Sequence, residues 1–448
     1  MRGRITRGKT IGIVISLLAA SFMSIGQTAP VQVLKDHTFT THFFDYEALG
    51  INPANIAAHW RTDKKVSFGL MSSNFLLYSR GIKSDLLHGG GLSRLSEVNH
   101  WLDEVLIERN AINFDNTVLG LNVNTRKAGC FAFSLRNNVY MEMEVNGVLE
   151  DLDFEGADFS NIADIIMEAM ENYSDSTLNS EDESYIKMNM VNEINMGYSR
   201  KVVNKKKWKL FAGANLKYLM GFADLGLEFN GRDVAGYYSL SSLLPEGWED
   251  ENIVNQLKSE KKFGHGFGSS IGVALKADKV RAGLSVIDLG FIKWPSKRLY
   301  ITQQEAVMEA LTEDDVKEAV NNVIRDNQRN ENGTELLPAK MILGASYDVH
   351  KYVCVYMDFA SPLVKTAKGM NNPTIGAGTW LSLRDYLTVK TGATLVTKKL
   401  VTLPLFISFF GGKNKSFELS IGTSDMLSFF KENREYVNLQ TALMKFHF

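Results

Sequence analysis

The chain has 448 residues, with 49 Lys and Arg against 51 Asp and Glu, a net charge of −2 at pH 7 and two cysteines. That balance excludes the basic footprint of a nucleic-acid binder, and two cysteines exclude a disulfide-dense scaffold. Although 45% of the residues are hydrophobic, mean hydropathy is −0.11, and beyond the N-terminus no apolar run reaches the roughly 18 residues of a membrane helix.

Arg2, Arg4, Arg7 and Lys9 precede an apolar run from Ile11 to Ile25, with a small-x-small site at Ser24 and Gly26. This anatomy predicts a secretory signal peptide over residues 1–26, cut before Gln27. Its loss removes four basic residues and makes the mature chain more acidic. From Gln27 to Asp63 there is no long alternating segment. Asn52-Pro53-Ala54 within it has turn chemistry, because proline fixes its own φ and restricts the residue before it.

Two-residue alternation begins at Lys64. Strands are predicted over Lys64–Phe75, Phe114–Val123 and from Ala128, followed by a long hairpin, Tyr185–Met220, turning at Asn204-Lys205-Lys206. In its second arm Trp208, Leu210, Ala212, Ala214, Leu216, Tyr218 and Met220 share one face; Lys207, Lys209, Gly213, Asn215 and Lys217 share the other. After Gly221 the chain reads as irregular to Lys262. Further strands are expected over Phe263–Lys276, Val280–Gly290, Pro338–Val349, Tyr352–Phe359, Pro373–Leu383, Tyr386–Val396, Val401–Phe410, Ser416–Gly422 and Asn438–Phe448. Helical spacing appears only in the long connections, at Ser93–Glu108, Phe159–Asn172, Thr302–Leu311 and Thr312–Arg325.

About fourteen strands emerge, an even number, and short turns alternate with mostly long connections. The expectation is an all-β transmembrane antiparallel barrel over residues 64–448, with lipid around it, helical extracellular loops and both termini periplasmic. The chain ends with Ala442, Met444, Phe446 and Phe448 on one face. An aromatic terminus of this kind, at Phe446 and Phe448, resembles the strand by which barrel-assembly machinery recognises its clients.

Asn52-Pro53-Ala54 ahead of the first strand, the strand number and the aromatic terminus together resemble the FadL-type superfamily of outer-membrane transporters for hydrophobic compounds. More narrowly, Gly213-Ala214-Asn215-Leu216-Lys217-Tyr218-Leu219 and Ser285-Val286-Ile287-Asp288-Leu289-Gly290-Phe291-Ile292 look like an uncharacterised domain-of-unknown-function family of such barrels. The resemblance implies that residues 27–63 form a hatch inside the barrel and that the cargo is a small hydrophobic or amphipathic compound. A cargo leaving sideways needs a break in the wall. Asn137 and Asn192 interrupt the apolar faces of their strands, so they mark a candidate lateral opening; a place in the headgroup zone is the other reading.

No catalytic, cofactor or metal set is visible. Gly264 to Ser270 lies on an alternating strand with no helix after it, unlike a phosphate loop. The acidic run Glu150 to Asp158 lacks EF-hand spacing. The eight histidines show no metal-ligand pattern, and no serine stands in a Gly-x-Ser-x-Gly context. An enzyme is therefore disfavoured. Passive transport is the leading expectation, and a barrel that scaffolds a secretion or surface partner is the alternative.

Overall fold

The computed structural model describes residues 39–58, 65–79, 110–125, 127–144, 183–230, 233–241, 258–259, 263–302, 329–330, 333–364, 373–384, 386–395, 401–412, 416–429 and 436–448. The signal peptide and the expected helices at Ser93–Glu108, Phe159–Asn172 and Thr312–Arg325 lie outside these residues, as does all but the first residue of Thr302–Leu311. So does the acidic run.

Fourteen strands circle the molecule among the described residues: β1 (Val66–Ser79), β2 (Asn110–Thr125), β3 (Gly129–Glu144), β4 (Glu183–Asn204), β5 (Trp208–Asn230), β6 (Gly264–Ala277), β7 (Val280–Trp294), β8 (Lys340–His350), β9 (Val353–Pro362), β10 (Thr374–Arg384), β11 (Leu387–Leu395), β12 (Leu405–Gly411), β13 (Phe417–Thr423) and β14 (Tyr436–His447). Each pairs antiparallel with the next. β14 closes on β1 from Ser67↔His447 to Tyr78↔Tyr436, and Phe448 exchanges backbone hydrogen bonds with Val66. Closure removes the free edges that would otherwise leave backbone groups unpaired in lipid.

Alternation decides which face meets which solvent. Leu216 is 70% exposed, and Met196, Phe267 and Ile271 are also exposed; Asn215, Lys217, Ser199 and Ser285 are buried. Apolar side chains point out and polar ones point in, the reverse of a soluble core. The chain is a transmembrane β-barrel.

The wall is taller at the long-connection end than the sequence suggests. β5 does not stop at Met220 but runs to Asn230, where it pairs with Asp233–Ser241, which in turn pairs with Lys297–Thr302. The irregular reading of 221–262 is thus corrected in part. Its cause is a β-bulge: the β4–β5 register shifts between Met190 and Val191, with Phe222 as the extra residue. A bulge turns every later side chain to the other face, so a strict two-residue pattern breaks where the strand continues.

Residues 39–58 lie inside the barrel as three short 3-10 turns, Thr40–His42, Asp45–Gly50 and Pro53–Ile56. Phe39, Leu49, Ala54 and Ile56 are almost wholly buried.

Candidate functional site

The site is the lumen and the segment that fills it. Asn52 precedes the last 3-10 turn, accepts a hydrogen bond from Ala54 N at 3.0 Å through its side-chain oxygen, and has proline directly after it. Its Nδ2 donates to the Val273 carbonyl on β6 at 3.0 Å. This turn presses so closely on the wall that only glycine fits opposite. A Cβ on Gly213 would lie 2.5 Å from the Pro53 carbonyl carbon and 2.7 Å from Ala54 N, and one on Gly272 would overlap the Asn52 amide.

The two short motifs meet here. Asn215 Nδ2 donates to Leu49 O at 3.1 Å, and Ser285 Oγ donates to Ile51 O at 2.6 Å. Ser199 Oγ reaches Ala54 O at 2.9 Å. Farther along the lumen, Lys217 pairs with Asp288 at 2.5 Å and Glu193 at 3.6 Å. Asp288 adopts a positive φ of 60° beside the β6–β7 register shift between Ser269 and Ile271, an irregularity at which a strand can re-aim a side chain.

Opposite walls hold the other parts of the plug. Asp358 on β9 accepts from Phe39 N at 2.7 Å and Thr40 N at 3.3 Å, and also from the Thr40 hydroxyl. Lys445 on β14 pairs with Glu47 at 2.9 Å and Asp45 at 3.5 Å, while Asn122 Nδ2 donates to Asp45 Oδ1 at 3.2 Å. The Tyr46 ring occupies a notch made by Gly69 and Gly120; burial, aided by Glu47, raises its phenol well above the usual range. His42 Nε2 sits 3.3 Å from Arg281 Nη1 and 3.6 Å from Cys354 Sγ. Arg281 is itself held by Asp348 at 2.5 and 2.9 Å. Both cysteines are free and buried.

Two cavities flank the plug. One, of about 160 Å³, lies against Phe39, Phe43, Tyr46 and Leu49 on the plug side and Lys390 and Phe406 on the wall side. The other, of about 140 Å³, lies against Leu219, Ile292, Trp294 and Leu337 with Lys217 and Glu193. The Asp115–Arg136 ion pair, 2.6 Å long, lines both. Each cavity joins apolar surface to charge.

Asn137 and Asn192 are register partners, and the β3–β4 ladder runs without a shift on either side of them. An interrupted ladder lies two strands away. Between β1 and β2 the paired residues are Val66↔Val123 and Ser79↔Asn110; between them the strands stay side by side in the same register, with Phe75 facing Phe114 at 6.3 Å. Within that interval Met71 has a positive φ of 52°, and Ser73 Oγ bridges to Asn116 Oδ1 at 3.0 Å. Asn116 is the register partner of Asn137. A polar row, Ser73, Asn116, Asn137 and Asn192, therefore crosses four adjacent strands. Ser73 also borders the larger cavity. Sequence reading found two of the four.

Phe446 and Phe448 stack at 6.4 Å, and Phe446 meets Phe417 at 5.2 Å. Among the described residues no group of three His, Cys, Asp or Glu is placed to hold a metal ion, and no helix is long and apolar enough to cross a membrane.

Lys217 gives a stability test. Lys217→Met removes the cation that pairs with Asp288 at 2.5 Å and is expected to destabilise the barrel by about 3–5 kcal/mol, whereas adding Asp288→Leu recovers a large part of that loss. Urea unfolding in detergent measures both; equal loss in the single and double variants would contradict it.

No curated protein matches the chain. Among solved structures, the toluene transporter TbuX of Ralstonia pickettii is 11% identical with a TM-score of 0.44, covering 90% of this chain and 95% of that one. The toluene transporter TodX of P. putida is 10% identical with a TM-score of 0.43, covering 90% and 93%. A FadL homologue of Pseudomonas aeruginosa is 10% identical with a TM-score of 0.46, covering 97% of each chain. A family model described as "Family of unknown function (DUF5723)" matches residues 53–424, a span that starts at the proline of the plug turn and takes in both motifs. The chain belongs to that family.

Proposed function

We propose that this barrel passes a small hydrophobic or amphipathic compound, which enters at the long-connection end, rests beside the plug and leaves sideways between β1 and β2. The observation that carries the reading is the interrupted β1–β2 ladder next to a cavity that offers Phe39, Phe43 and Phe406 together with Lys390. A solute with an apolar body and a polar end suits such a lining. Parting β1 from β2, where few backbone pairs hold them, would spare the solute the fully bonded backbone of a closed sheet. Asn137 and Asn192 extend the polar edge of the exit.

A reversible staple tests it. Ser73→Cys with Asn116→Cys places thiols across the seam, where the native side chains already meet at 3.0 Å. In proteoliposomes, transfer of a hydrophobic fluorescent probe into the bilayer is expected to fall about tenfold on oxidation and return on reduction, about 1.4 kcal/mol in barrier. Equal transfer in both redox states would remove the proposed exit.

The number of bonds fastening the plug favours a second reading, a permanently closed barrel that scaffolds a partner. Native mass spectrometry of detergent-purified protein separates the two: a retained hydrophobic ligand other than a bilayer phospholipid supports transport, and a co-purifying protein supports scaffolding.

A further inference from the structure

The tip of the β4–β5 hairpin carries the densest charge among the described residues. Arg200, Lys201, Lys205, Lys206, Lys207 and Lys209 are all exposed, and no acidic residue occurs between positions 200 and 209. None of the six has an ion-pair partner among the described residues. The clustering runs against the composition of the chain, which is net acidic. The acids concentrate elsewhere in the sequence: residues 145–182, between β3 and β4 in the chain, contain eleven Asp and Glu and no Lys or Arg.

Geometry puts this charge at the membrane surface. β3 stops pairing with β4 at Cys130↔Ser199, so residues 200–204 project past their neighbour. Immediately inside that level, on the lipid-facing side, the Phe131 and Tyr198 rings pack at 5.1 Å. Val202 and Trp208 are exposed on the tip itself. Aromatic girdles mark the headgroup level of a membrane barrel, and long basic side chains beside them reach the polar interface. Arg200 lies on the same outward face as Tyr198, with no partner for its guanidinium among the described residues.

We propose that this hairpin tip is a docking site for the phosphodiester headgroups of anionic phospholipid in the leaflet at the short-turn end. Trp208 and Val202 seat the hairpin in the interface, and Arg200 with Lys205, Lys206 and Lys207 holds the phosphates. Each such basic group near an anionic surface is worth about fivefold in lipid affinity, and the effect fades within a Debye length.

The test uses the full chain in micelles containing equal amounts of phosphatidylglycerol and phosphatidylcholine, with bound lipids read by native mass spectrometry. Wild type is expected to retain phosphatidylglycerol preferentially. The variant carrying Arg200→Gln, Lys205→Gln, Lys206→Gln and Lys207→Gln is expected to lose that preference by at least about tenfold, with unchanged heat-modifiable mobility in electrophoresis. Lys206→Gln alone, at the exposed turn, gives a partial loss should the fourfold variant fail to fold. No preference in wild type, or a preference untouched in either folded variant, overturns the proposal, because the lysines are then a solvated turn or a surface for another partner. Displacement of the lipid by millimolar inorganic phosphate also overturns it, since the site is then one for a free anion.

Discussion

Gly213→Val is expected to unseat the plug. The added Cβ would stand 2.5 Å from the Pro53 carbonyl carbon and 2.7 Å from Ala54 N, and both are backbone atoms of a proline-containing turn that cannot rotate away as a side chain would. Overpacking usually costs about 1–3 kcal/mol, and a rigid opposing backbone puts this case near the upper end. At about 3 kcal/mol the population with the plug displaced rises roughly a hundredfold. The loss extends beyond Gly213, because the Ser199, Asn215 and Ser285 hydrogen bonds to Ala54, Leu49 and Ile51 depend on the same fit. Two readouts check it: faster proteolytic cutting within residues 39–58, and higher ion conductance in planar bilayers than wild type. Gly213→Ala gives an intermediate result. A valine variant with wild-type cutting and conductance would contradict the seat.

The second large effect belongs to Asp358. Its side chain accepts from Phe39 N and Thr40 N, which have no other acceptor among the described residues, and all three residues are buried. Asp358→Ala therefore removes the acceptor and leaves two backbone donors unpaired at the start of the plug. Each orphaned buried donor costs about 1–3 kcal/mol, so a net loss of about 3–5 kcal/mol is expected. Asp358→Asn keeps one oxygen acceptor and loses less. Hydrogen exchange at the Phe39 and Thr40 amides measures this directly; protection unchanged in the alanine variant would show that the plug is held elsewhere. The barrel's own closure does not use Asp358, so heat-modifiable mobility stays as in wild type.

The strands were legible because each keeps one side chain for lipid and the next for the lumen. Trp208 to Met220 shows this in full, and β5 is built on that parity. Legibility stops at bulges. Phe222 inverts the parity of β5, and the register shift between Thr117 and Leu119 does the same beside Asn116, so that asparagine did not stand out as Asn137 and Asn192 did. The seat of the plug was hidden for another reason. Gly213 and Gly272 look like ordinary strand glycines until Asn52 and Pro53 are placed against them. Thr40 and Asp358 are neighbours in space but hundreds of residues apart in sequence, and no local pattern links them. Lys217 and Asp288 offered a clue, since each is a charge on a strand within a short family motif; their pairing needed the register.

The account depends most on the outward face meeting lipid and the inward face meeting the plug. A fluorophore attached to cysteine at position 216, then at 215, in otherwise identical reconstituted protein tests this with brominated phospholipids as quenchers. Strong quenching at Leu216→Cys and little at Asn215→Cys is the expected result, given 70% exposure at one and 2% at the other. Equal quenching at both positions, or none at either, would contradict a membrane-spanning wall around residues 39–58.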